Sequence, residues 1–127
     1  DEDRAAVVAV HDVLQRAIHD DDPVTYHRQS RQFHLALTRP SRIYRLLHML
    51  ESAWNVTEPV QSMVHVTPDE RTALHTDHDR MVELFLAGDV EKLLTTAELH
   101  AQRLNSVIAT LPTDTGLLVS PNISSAQ

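Results

Sequence analysis

Apolar residues recur at helical spacing along most of the 127-residue chain. From about residue 2 to 20, Val7, Val10, Leu14, Ala17 and Ile18 share one side, which predicts an amphipathic helix. Asp20, Asp21 and Asp22 break it. Asp22 is a good N-cap and Pro23 a good first residue for a second helix, expected to reach about Thr38. Its inner face carries Tyr26, Ser30, Phe33, His34 and Leu37. Pro40 ends it, and Ser41 is placed to cap a long third helix through Ile43, Leu46, Leu47, Leu50 and Trp54, kinked or split near Pro59. A loop follows at residues 65–68. Thr67, Pro68 and Glu70 form a capping box with proline at the first helical position, starting a fourth helix that runs to about Ala87. Its stripe is Leu74, His78, Met81, Val82 and Phe85. Gly88 suits the left-handed position after a helix, and Asp89 caps a fifth helix at once. That helix carries Leu93, Ala97, His100, Leu104, Ile108 and Leu111, and Pro112 stops it. The pattern predicts an all-α antiparallel helical bundle over residues 1–112, followed by an unstructured tail over 113–127.

Composition narrows the picture. Two glycines and few β-branched runs favour helices over a turn-rich β fold. Aromatic residues are only 4%, so aliphatic side chains must do most of the packing. The formal net charge of −7 would repel a phosphate backbone, which makes this segment a poor nucleic-acid binder by itself. There is no cysteine, so histidine and carboxylate are the strong metal ligands available. Nothing resembles a signal peptide, and no apolar run approaches the roughly 20 residues of a membrane span. The expectation is a cytoplasmic protein without membrane association.

Three histidines stand out, because His34, His78 and His100 each fall on an apolar stripe of a different helix. A buried imidazole needs a hydrogen-bond partner or a metal that uses its lone pair. A lone inward histidine is more often a hydrogen-bonded core residue than a ligand. Three at mid-helix can share one layer, and such a set binds zinc, nickel or manganese with coordination positions left open. The other histidines read differently. His19 and His27 lie beside polar residues and are expected to be solvated, and His65 falls in a loop. His48 flanks the third helix's apolar face, His75 shares a face with Arg71 and Asp79, and His11 reads as a partly buried residue at one end of the bundle. Asp77 and Glu98 neighbour the candidate ligands in sequence and are expected to point off the stripe.

The residues 30–37, Ser-Arg-Gln-Phe-His-Leu-Ala-Leu, resemble the D-x-x-F-H-x-x-L signature of the FCD domain, the effector-binding domain of FadR-type regulators in the GntR superfamily. Ser41 to Leu47 stands where that family has S-x-N-x-x-L-L. Asp77-His78-Asp-Arg-Met-Val-Glu-Leu is similar to its E-H-x-x-I-x-x-A, and Ala87-Gly88-Asp89 to its x-G-D junction. His100 follows His78 by 22 residues, the family's usual separation. The resemblance covers roughly residues 2 to 111. It implies metal ligands at His34, His78 and His100, together with an aspartate four residues before His34. Ser30 occupies that position, so the set loses its carboxylate and a negative charge. Ile43, where the family often has asparagine, is a second departure.

The resemblance implies a sensor domain, not an enzyme. A small carboxylate effector would meet Ser30, His34, His78 and His100, either through a bound divalent metal or directly on protonated imidazoles. The domain would form a homodimer and control DNA binding by a winged helix-turn-helix that this chain lacks. The family's usual first helix is also missing, which makes the chain look like a fragment whose apolar surface a dimer would cover. Two other readings stay open at this level: a hydrolase-like metalloenzyme with a three-histidine site, and a purely structural dimerisation bundle.

Overall fold

The computed structural model describes residues 1–57 and 62–111. Five α-helices follow in order: α1 (Glu2–His19), α2 (Pro23–Thr38), α3 (Tyr44–Thr57), α4 (Pro68–Ala87) and α5 (Val90–Ala109). Short 3-10 turns at Arg39–Ser41 and Ser62–His65 flank α3, and there is no strand among the described residues. The expected stop at Pro112, the kink at Pro59 and the tail over 113–127 lie outside the described residues.

Local chemistry sets the helix ends. The Asp22 side chain accepts from the Thr25 amide at 3.0 Å and starts α2 with proline in its first turn. Thr67 and Glu70 form the reciprocal capping box of α4: Glu70 N–H donates to Thr67 Oγ1 at 3.3 Å, and Thr67 N–H to Glu70 Oε2 at 3.1 Å. Gly88 then takes φ +72°, and its amide closes on the carbonyls of Leu84 and Phe85. That left-handed conformation is costly for any residue with a Cβ. Asp89 caps α5 through the Lys92 amide at 3.2 Å.

The core gathers Val7 and Leu14 from α1, Tyr26 and Phe33 from α2, and Leu74 and Met81 from α4, all almost fully buried. α1 packs on both α2 and α4, and α5 packs on the other side of α4. α4 is therefore covered from two directions. Its buried arc widens from a stripe to Arg71, Leu74, His75, His78, Met81, Val82 and Leu84. Arg71 enters this arc as a tie: its guanidinium donates to the carbonyls of Met63 and Val66 and to Asp21 Oδ1, the last at 2.6 Å. It fastens the α1–α2 corner and the Ser62–His65 turn to α4.

α3 departs from expectation. It begins at Tyr44, because Arg39–Ser41 form a 3-10 turn that Arg42 ends in the left-handed region at φ +56°. Ser41 Oγ accepts from the Ile43 amide, ahead of the first residue of α3, so it does not cap the helix. The apolar residues Ile43, Leu46 and Met49 are more than half exposed and do not join the core. His27 also differs from its solvated reading and is buried, because α2 is flanked by α1 on one side and by the Ser62–His65 turn on another.

Candidate metal centre

The structure brings together the three histidines picked out by their stripes. α2 supplies His34, α4 supplies His78 and α5 supplies His100, and their ligand nitrogens all lie within 4.8 Å of one another. The ring centroids stand 5.2 Å apart for His34–His78, 5.3 Å for His34–His100 and 4.6 Å for His78–His100. Phe33 packs against His78 at 4.8 Å and seals the apolar side. His78 and His100 are buried, while His34 is half-buried. Ser30 lies one turn before His34 on α2 and is half-buried.

His78 Nε2 and His100 Nε2 stand 3.2 Å apart. Two nitrogen ligands of a tetrahedral zinc ion, each at 2.0–2.1 Å, stand about 3.3 Å apart. The observed separation fits that edge as well as it fits a hydrogen bond. The outer partner of His100 directs its lone pair. His100 Nδ1 donates to Asp77 Oδ2 at 3.2 Å, which turns its Nε2 lone pair inward. His78 Nδ1 faces the Tyr26 hydroxyl at 3.4 Å. Asp77 also accepts from Arg103 Nε at 2.9 Å, which fixes its orientation.

Asp77 corrects the expectation that it points off the stripe. It stands three residues after Leu74 and four before Met81, a spacing that puts it at the edge of the buried arc. That signal was present in the sequence, hidden by its position directly beside His78.

Burial keeps the rings neutral. It lowers His34 from 6.5 to about 4, with repulsion from His100 adding to the effect. Burial also pushes His78 well below its ordinary value, with further repulsion from His34 and His100. His100 is lowered by burial too, though the hydrogen bond and the charge of Asp77 oppose the shift. Neutral imidazoles are metal ligands and poor anion receptors. The donor set therefore fits a divalent ion better than it fits an anion held directly.

A separate cavity of about 150 Å³ opens between α2 and α3, lined by Arg28, Arg31, Gln32, Trp54 and Asn55 among others. None of the three histidines lines it, and Trp54 is the link, 6.5 Å from His34 between ring centroids. Arg31 donates to the Trp54 carbonyl at 2.8 Å, which ties α3 to α2. Sequence periodicity could not reveal this cleft, because it depends on how loosely α3 sits.

The family model of the FCD domain matches residues 1–103. The chain belongs to the FCD domain family. The match is consistent with the FCD domain of a GntR-family regulator and implies an effector-binding regulatory domain. FCD domains of such regulators bind small effectors and act as dimers. No curated protein and no solved structure matches the chain. No described helix is long and apolar enough to cross a membrane.

Proposed function

We propose that this FCD domain senses a small organic acid through a divalent metal held by His34, His78 and His100, in the cytoplasmic homodimer of a GntR/FadR-type transcription regulator. The observation that carries the reading is the convergence of three imidazoles from three helices, one of which is held by Asp77. Zinc, nickel and manganese all suit nitrogen donors, and three protein ligands leave open positions for a carboxylate. The bound ion would supply the positive charge that the neutral rings lack. Ser30 stands where the family resemblance implies an aspartate, so the inner set is uncharged and an anionic effector would help to balance the ion. The cleft beside Trp54 is lined by Arg28 and Arg31 against one acid, Glu51, a net positive lining that would favour an anionic ligand on approach.

In the whole regulator, effector binding would favour one bundle geometry and so change how two winged helix-turn-helix domains are spaced. A ligand shifts such an equilibrium only by its differential affinity for the two states. The hydrolase reading loses support, because Asp77, the carboxylate nearest the rings, is already engaged by His100 and Arg103 and is not free as a base.

The test is a thermal-shift panel of small mono- and dicarboxylates on zinc-loaded and chelator-treated protein. A ligand at 100 times its Kd adds about 2.7 kcal/mol to the folded state. The expected outcome is stabilisation by some acids in the loaded protein alone. Equal shifts with and without zinc, or none across the panel, would contradict the proposal.

A further inference from the structure

A second cluster of ligating side chains lies at the α1–α4 contact, outside the three-histidine set. His11 of α1 and His75 and Asp79 of α4 bring three ligand atoms within 4.8 Å of one another. His75 and Asp79 are four residues apart, so both project from one side of α4. His11 Nε2 donates to Asp79 Oδ1 at 2.6 Å, while His75 Nε2 stands 3.4 Å from the same oxygen. The two imidazoles stack with centroids 5.2 Å apart. Gln15 Oε1 lies 3.0 Å from His75 Nε2 and adds a fourth donor from α1.

We propose that His11, His75 and Asp79 form a second divalent transition-metal site, which clips α1 to α4. Two nitrogens and a carboxylate oxygen form a set that zinc-class ions accept, and Gln15 or water completes it. The 3.4 Å separation of His75 and Asp79 already equals the edge of a tetrahedral site, about 3.3 Å. The His11 contact is shorter and must open. Its partly exposed side chain, 18% accessible, has room to do so. His75 is buried deep in the contact, and its Nδ1 has no hydrogen-bond partner among the described residues. Asp79 gives this site the anionic ligand that the three-histidine set lacks. The two sites are neighbours: His75 and His78 meet edge to face at 5.7 Å, with Tyr26 packed against both rings. An ion here would therefore brace the helix that carries His78. The site is formed by different residues from the proposed effector site and stands or falls separately.

The test is zinc stoichiometry by equilibrium dialysis and elemental analysis on the wild-type chain, Asp79→Asn, His100→Ala and the double variant. Asp79 is about half exposed, so Asp79→Asn leaves the core intact. The expected result is two equivalents in the wild type, one in each single variant and none in the double. If Asp79→Asn loses one equivalent and His100→Ala loses none, this site is upheld and the three-histidine site is not. Wild-type and Asp79→Asn proteins with the same stoichiometry and affinity would overturn it. A measurement on the wild type needs no variant: saturating cobalt(II) should give hyperfine-shifted imidazole resonances from both His11 and His75, and unshifted signals from these rings would likewise overturn it.

Discussion

At the scale of single residues, the histidine cluster makes pH a direct probe of the fold. Burial lowers His34, His75, His78 and His100 below 6.5 in the folded chain, whereas an unfolded chain leaves them near that value. Below pH 6.5 the unfolded state therefore binds more protons, and stability falls with pH. The contribution is fully present above 6.5 and is lost on acidification, for His34 down to about 4. A tenfold preference for the neutral ring is worth about 1.4 kcal/mol, or several degrees in Tm for a domain of this size. Thermal melts of chelator-treated protein should thus show Tm falling steadily from pH 7 to 4.5, and a flat profile would contradict the burial of these rings. Asp77 gives a second residue-level prediction. Asp77→Asn removes the anionic partner of His100 and should weaken zinc binding 10–100-fold without abolishing it, as outer partners of metal ligands generally do. Titration against a competing zinc chelator measures this, and unchanged affinity would remove Asp77 from the site.

At the scale of elements, helix termini were the most legible feature of the sequence. Their signals are local: an aspartate before Pro23, a threonine three residues before Glu70, a glycine followed by an aspartate at 88–89. Each has the expected hydrogen bond in the structure. Thr67→Ala should cost about 1 kcal/mol, the usual worth of an N-cap. Gly88→Ala should cost a similar amount for a different reason. A Cβ there meets nothing within 4 Å, so the penalty comes from the left-handed backbone alone. Chemical denaturation measures both, and losses below about 0.3 kcal/mol would show these ends to be frayed. The elements also show why the rest was hidden. A stripe drawn for one neighbour underestimates α4, which has two. Arg71, His75 and Asp77 lie just beyond the Leu74–His78–Met81 line, and the approach of α1 and α5 from opposite sides draws them in. No local pattern reports how many neighbours a helix will have. The same holds for α3, whose periodic apolar face suggested a packed helix although the face stays largely open.

At the scale of the molecule, the meeting of His34, His78 and His100 could be read from the sequence because three separate stripes and one known spacing pointed to one layer. Their outer partners depend on side chains meeting across helices, which the sequence does not specify. Leu46 and Met49 of α3, with Ile43 just before it, are each more than half accessible and form one apolar surface that an FCD dimer would cover. Leu46→Asp combined with Met49→Asp should shift sedimentation equilibrium towards monomer while leaving the helical circular dichroism unchanged. An unaltered association constant would place the dimer contact elsewhere. The central claim is that His34, His78 and His100 hold one metal ion together. Zinc dialysis in an Asp79→Asn background, which silences the α1–α4 cluster, tests it most directly. The account predicts one bound equivalent, lost on His34→Ala, His78→Ala or His100→Ala alone. A full equivalent retained by all three variants would contradict it.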